Sequence, residues 1–208
     1  ALLQENGCDA LFAPAPDAMY EDGAPLTTVR VAALSTRWEG AARPTHFDGV
    51  ATVVAKLFNI VRAHRAYFGE KDYQQLKIIE RMARDLNFET QVVPCPTVRE
   101  ADGLALSSRN AYLSPAERRA AATLQRALQA GVLLAQSGER EAFVLEREMQ
   151  EVLDGEPLLE TDYLAVVDAA TLEPLPRLEE APARVLVAAK LGATRLIDNV
   201  GIGGSVTR

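Results

Sequence analysis

A strand, a helix and a second strand follow one another with short links between Ala66 and Val93, and this order constrains the fold most narrowly. Ala66-Tyr67-Phe68 is short and apolar and is broken by Gly69. Leu76, Ile79, Met82, Ala83 and Leu86 then recur at helical spacing, and Phe88 to Val93 alternate as a strand until Pro94 and Pro96 interrupt. The helix carries the chain back to the end where the first strand began, so the strands pair in parallel and the class is α/β. Asp72, with Gln75 three positions on, has the pattern of a capping box at the start of that helix.

Upstream, Asp9 to Ala13 reads as a short buried strand stopped by Pro14 and Pro16, and Thr28 to Leu34 alternate as another. Between them lies a loop with a turn at Asp22-Gly23. Residues 35–49 are polar and irregular and hold Arg37, Glu39, Arg43 and His46, after which Gly49 to His64 keeps helical spacing. A second composition begins at Ser114, where a Ser N-cap, Pro115 at the first position and Glu117 at the third predict a helix. That helix is expected to run to Gln136 and end at Gly138, with a second over Glu139 to Leu153. Strands are predicted at Tyr163–Val167 and Val185–Ala189, with Leu196-Ile197 extending their sheet. The expected division is therefore an α/β domain over 1–110, a small α+β domain over 111–200 and an unstructured tail over 201–208. The chain opens directly on a helix-like Ala1–Asn6 ended by Gly7, which reads as the start of a fragment or a processed chain.

Composition removes several classes. The net charge of −7, from 22 basic and 29 acidic residues, argues against a nucleic-acid surface as the main function. No apolar run reaches the roughly 18 residues of a membrane span, and no secretory leader pattern is visible. Cys8 and Cys95 match no metal or redox spacing and read as buried free thiols. His46 and His64 have no partner at metal-ligand spacing, so no metal site is expected.

Two polar knots remain. Phe68-Gly69-Glu70-Lys71-Asp72 sits at a strand-to-helix turn, where free backbone N–H groups and the helix dipole favour an anion. Asp102-Gly103-Leu104-Ala105-Leu106-Ser107-Ser108-Arg109-Asn110 carries hydroxyls and a guanidinium that stays protonated, in a loop between the two expected domains. Lys as a point charge and Arg as a planar fork could grip a triphosphate from two sides. Plainer readings are available: Ser and Asn as turn caps, Arg109 paired with Glu100 or Asp102, and Gln75 as a cap only. Arg43 and His46 are weaker candidates for substrate contact.

These segments, with Leu34-Ser35, Glu39-Gly40, Arg43-Pro44, His46-Phe47, Val53–Val61, Val98–Asn110 and Leu196-Ile197-Asp198-Asn199, resemble the pantothenate synthetase (pantoate–β-alanine ligase) family over nearly the whole chain. The resemblance implies a Rossmann-like nucleotidyltransferase domain followed by a small α+β domain, in a cytoplasmic homodimer. It implies ATP- and Mg²⁺-dependent activation of (R)-pantoate as an acyl adenylate, which β-alanine attacks to give pantothenate and AMP. By matching positions, Gly69, Glu70, Lys71, Asp72, Val98, Leu106, Ser107, Ser108 and Arg109 would line the ATP site. Among them Lys71, Ser107 and Arg109 would stabilise charge in the reaction, and Gln75, with Arg43, would hold pantoate. The family's HxGH-type loop has no counterpart in this sequence, so an N-terminally truncated and impaired member is expected. Thr45 stands where the family usually has Gly, and Trp38 where Leu is common. The competing readings are a remnant of the family that only folds or dimerises, and another nucleotidyltransferase of the same superfamily.

Overall fold

The computed structural model describes residues 2–20, 23, 25–179 and 181–203. Its helices are α1 (Leu2–Glu5), α2 (Pro16–Met19), α3 (Glu39–Ala42), α4 (His46–Val61), α5 (Tyr73–Asp85), α6 (Pro115–Ala121), α7 (Thr123–Gln136) and α8 (Ala142–Asp154). Its strands are β1 (Arg65–Gly69), β2 (Gln91–Cys95), β3 (Leu159–Asp168), β4 (Ala183–Leu191) and β5 (Thr194–Ile202). The expected parallel unit is present: β1 pairs with β2 from Arg65↔Gln91 to Gly69↔Cys95, and α5 is the crossover.

The second sheet is an antiparallel meander in the order β3-β4-β5. Side chains alternate across it. Val166, Val185, Val187, Ala189, Leu191 and Leu196 join the core built by α6, α7 and α8. Ala165, Val167 and Leu186 belong to the core formed by α4 and α5. Both faces are covered, which is why Val185 to Ala189 is uniformly apolar. The outer edge of β3 is closed as well: the Glu146 carboxylate of α8 accepts the Val166 N–H at 2.8 Å, and the Leu175 N–H donates to the Val166 carbonyl at 2.9 Å.

Helix starts were legible where side chains supply the cap. Ser114 Oγ accepts from the Glu117 N–H and the Glu117 carboxylate accepts from the Ser114 N–H, a complete capping box with Pro115 at the first position. The capping box expected at Asp72 and Gln75 does not form: a 3-10 turn over Glu70–Asp72 runs straight into α5, and the Asp72 side chain makes no cap bond. The single helix expected up to Gln136 is split at Ala122 into α6 and α7.

Two expected strands are absent. Over Thr28–Leu34, Val29 and Val31 pack on the α4–α5 core, and the Val29 N–H donates to Thr52 Oγ1. The alternation there records packing without a neighbouring strand. Asp9–Ala13 is also irregular, with Leu11 and Phe12 exposed. Cys8 is exposed and Cys95 half-buried, so the reading of both as buried thiols is corrected. Gly201 and Ile202, assigned to a tail, belong to β5 with Ile202 buried. Ala1, Asp22 of the expected turn, and 204–208 lie outside the described residues.

Thr45, at a position the resemblance gives to glycine, precedes α4 with φ +66 in the left-handed region. Its exposed side chain makes no cap bond, so nothing compensates for placing a β-branched residue there. Thr45→Gly should therefore stabilise the fold by about 1 kcal/mol, the lower end of the cost of such backbone strain. A higher urea midpoint at unchanged slope is the expected result.

Candidate active site

Lys71 stands just past the carboxyl end of β1, where the 3-10 turn projects it toward the second sheet, and its side chain is 17% exposed. The turn is fixed from β5. Asn199 Nδ2 donates to the carbonyls of Glu70 at 3.0 Å and Lys71 at 2.8 Å, and Asn199 Oδ1 accepts from Arg184 Nε at 2.7 Å. Arg184 also binds the Glu70 carboxylate at 2.9 Å and lies 3.8 Å from the centre of the Tyr73 ring. Glu70 is thereby committed to a structural pair. Lys71 keeps only a loose contact, 3.5 Å to Asp72.

The Arg109 loop begins as a small hairpin. The Leu106 N–H donates to the Val98 carbonyl and the Glu100 N–H to the Leu104 carbonyl, both at 2.9 Å. Gly103 turns it at φ +89, and a β-carbon there would come within 2.8 Å of the Gln125 side chain. Arg99 binds the buried Asp198 carboxylate through both terminal nitrogens, at 2.7 and 2.9 Å. Arg118 takes up Glu100 at 2.7 Å and Asp102 at 2.5 Å. The acids proposed as plain partners of Arg109 are thus occupied, and Arg109 pairs with no carboxylate among the described residues. Ser107 does act as a turn cap, accepting the Arg109 N–H at 3.2 Å.

The third wall is the irregular segment before α4. The amide of Gln74, buried in α5, ties it down. Gln74 Nε2 donates to the carbonyls of Leu34 at 2.7 Å and Arg37 at 2.8 Å, while Oε1 accepts the Glu39 N–H at 3.0 Å. Gly40 is required at this point, because a β-carbon would sit 2.0 Å from the Ser35 carbonyl oxygen. Glu39 is gripped by Arg195 at 2.7 Å on both carboxylate oxygens, with the Tyr163 hydroxyl donating at 2.9 Å. Burial, reinforced by the Glu39 charge, raises the Tyr163 pKa, so the phenol stays protonated and remains a donor. Trp38 closes this corner with its indole N–H on the Leu172 carbonyl at 3.0 Å and its ring 5.4 Å from that of Tyr163.

The three walls enclose a cavity of about 150 Å³. Of the residues expected at a site, Lys71, Asp72, Gln75, Arg43 and Arg109 line it together. Gly69, Glu70, Val98, Leu106, Ser107 and Ser108 do not line it. Val98 and Leu106 are exposed at the base of the hairpin. Sequence reasoning missed Gln74, Tyr163, Arg184 and Arg195, and gave no role to Asp198 and Asn199. The one available signal was a polar pair inside an apolar strand, between Ile197 and Val200. Lys71, Arg43, Arg109 and His46 meet Gln75 across the cavity, while Glu39 and Asp198 are neutralised by arginines. Such a site attracts an anion and leaves its cations free to bind it.

A parallel strand–helix–strand unit with cations at the carboxyl ends of its strands, walled by an α+β unit, is the arrangement of a nucleotidyltransferase-like enzyme. The model of the pantoate-beta-alanine ligase family matches residues 1–201. The chain belongs to that family, whose members are ligases of pantothenate biosynthesis. It is 58% identical to the pantothenate synthetase of Rubrobacter xylanophilus, covering 97% of this chain and 71% of that protein. The pantothenate synthetase of Moorella thermoacetica is 55% identical over 93% of this chain and 68% of its own length. Among solved structures, pantothenate synthetase from Thermus thermophilus superposes with a TM-score of 0.91 at 52% identity, covering 96% of this chain and 71% of that one. Pantoate-beta-alanine ligase from Francisella tularensis, complexed with beta-gamma ATP and beta-alanine, gives a TM-score of 0.73 at 29% identity, with 96% and 67% covered.

Burial, then the charge of Arg43, holds the His46 pKa below its ordinary 6.5; Arg109 adds to the depression, and Glu39 and Asp72 oppose it. The Arg43 guanidinium lies 3.1 Å from Nε2, an arrangement in which the neutral ring accepts at that atom. Because the folded pKa is lowered, the contribution of His46 to stability is present above pH 6.5 and is lost as pH falls through the folded value. An NMR titration of the His46 ring should give a midpoint below 6.5, and pyrophosphate in the cavity should raise it.

Proposed function

We propose that the protein joins (R)-pantoate to β-alanine in two steps at this cavity. A pantoate carboxylate oxygen attacks the α-phosphorus of ATP, forming the acyl–phosphate bond of pantoyl adenylate and expelling pyrophosphate. The β-alanine amine then attacks the acyl carbon, loses a proton and displaces AMP. The observation that carries this reading is the convergence of Lys71 and Arg109, from two separate loops, on one cavity that also holds Gln75. The ATP- and beta-alanine-bound family member supports the choice of substrates.

Roles follow from position. Lys71 and Arg109 supply fixed positive charge where negative charge builds on the α-phosphate and the departing pyrophosphate, without the reorganisation that water would require. Gln75, whose amide is engaged by no described residue, offers a donor and an acceptor to the hydroxyls and carboxylate of pantoate, with Arg43 beside it. Ser107 positions Arg109 by capping its turn, and the backbone around Gly69, Glu70, Ser108, Val98 and Leu106 would meet the nucleotide once the Arg109 loop closes. Closure would also keep water from the acyl adenylate.

The described residues include no cluster of three metal-ligating side chains. Mg²⁺ would arrive with the nucleotide, since it is held mainly by phosphates and keeps several waters. Asp72 is the one cavity carboxylate that no described arginine holds and is the residue that would contact the hydrated ion. When bound, Mg²⁺ neutralises phosphate charge. The division into domains over 1–110 and 111–200 rests on the sequence pattern, since the α4–α5 core also takes Ala165, Val167 and Leu186 and the helix-side core takes Leu104. The cytoplasmic homodimer rests on the family resemblance.

The test is pantoate-dependent exchange of labelled pyrophosphate into ATP, measured on this chain and on a version extended to the length of its relatives. Exchange that needs pantoate is expected in the extended version, and its absence from both overturns the ligase reading. Lys71→Ala and Arg109→Ala should each lower the exchange rate by roughly 10²–10³, as for other lost stabilisers of developing charge. Turnover close to wild type in either would show that cation to be structural.

A further inference from the structure

Asp198 and Asn199 are adjacent on β5, so their side chains leave opposite faces of the strand. Asp198 shares its parity with Leu196 and Ile202 of the helix-side core, and there its buried carboxylate receives Arg99 of the Arg109 loop. Asn199 points to the other face and donates to two consecutive carbonyls of the Lys71 turn. The two anchors are bonded to each other. Asp198 Oδ1 accepts both the Asn199 N–H, at 2.7 Å, and Arg99 Nη2, at 2.9 Å. Arg99 Nη2 also reaches the Asn199 carbonyl at 3.3 Å. Arg184 completes the set by joining Asn199 Oδ1 to the Glu70 carboxylate.

We infer that Asp198 and Asn199 are positioning residues that bind the Lys71 turn and the Arg109 loop into one mechanical unit, so that the spacing of the two cations is set from β5. Neither side chain needs to touch substrate for this. The groups involved are saturated internally: the Asp198 carboxylate has Arg99 on both oxygens, and the Asn199 amide has a partner at each end. β5 is itself held along its whole length by β4, from Leu191↔Thr194 to Ala183↔Ile202, which makes it a rigid reference for two irregular segments. The coupling stands whatever the ligand, while its effect on ATP rests on the ligase reading above.

Hydrogen exchange at residues 69–75 and 99–110 tests the coupling in Asn199→Ala, Asp198→Asn and Arg99→Lys. Each substitution is expected to speed exchange by about tenfold in both segments, including the one it does not touch, while α7 and α8 stay within about twofold of wild type. Exchange raised only in the segment that the altered side chain contacts would mean two independent tethers and overturns the inference, as would a uniform rise that includes α7 and α8. Should Asp198→Asn fail to fold, Arg99→Lys and Asn199→Ala still approach the unit from opposite ends. In the version extended to the length of its relatives, Asn199→Ala should raise KM for ATP by about tenfold and leave KM for pantoate within about twofold, a split that a loss of general stability would not produce. Equal changes in both KM values would count against the coupling. Failure of the ligase reading is distinguishable, since it would appear in the wild-type protein as no pantoate-dependent exchange.

Discussion

A sheet that is apolar on both faces persists only if each face is covered, and this requirement organises the molecule. β4 puts Val185 and Val187 into one core and Leu186 into the other, so the α/β and α+β halves share a single wall. Each half would leave an exposed apolar face without its counterpart. Because the wall is shared, irregular segments of the α/β half end within reach of its outer strand, β5. The cavity exists where they meet.

Charge is distributed with the same economy. Two of the acids around the cavity are bound by arginines in two-point contacts, Glu39 by Arg195 and Asp198 by Arg99, while Arg118 holds the two acids of the 99–110 hairpin. Bidentate pairs of this kind fix geometry as well as charge. The cations on the cavity side, Lys71, Arg43 and Arg109, are left without such partners among the described residues. A chain with net charge −7 thereby presents a positive interior surface to an anion. Neither the total charge nor the local sequence around Arg195 or Arg99 could have disclosed this, because their pairings join residues far apart in the chain.

What could be read from the sequence follows the range of the interactions concerned. The Ser114 capping box, the α5 stripe apart from Leu86, which is exposed beyond the helix end, and the β1–α5–β2 order depend on neighbours within a few residues, and they were legible. Lys71, Asp72 and Arg109 were recognisable because glycine and polar residues interrupt regular elements at those points, while Gln75, inside α5, was singled out only by the family resemblance. Thr28–Leu34 misled because its alternation reflects packing of Val29 and Val31 onto α4 and α5, with no strand beside it. The capping box at Asp72 was a plausible local pattern displaced by the 3-10 turn that Asn199 holds from β5. Gln74 gave no sign at all. It looks like an ordinary helix surface residue next to Gln75, and only the fold turns it inward.

That buried amide has an evolutionary consequence. Gln74 links α5 to three points of the 34–39 segment through both a donor and an acceptor, and no other side chain has its reach with that pairing of groups. Glutamate would turn an acceptor toward two carbonyls, and leucine would leave three backbone groups without partners. Position 74 and the path of 34–40 are therefore heritable only as a unit. A lineage that reshapes this wall of the cavity has to do so around an unchanged glutamine or replace both at once, which makes this corner of the cavity slow to change its shape.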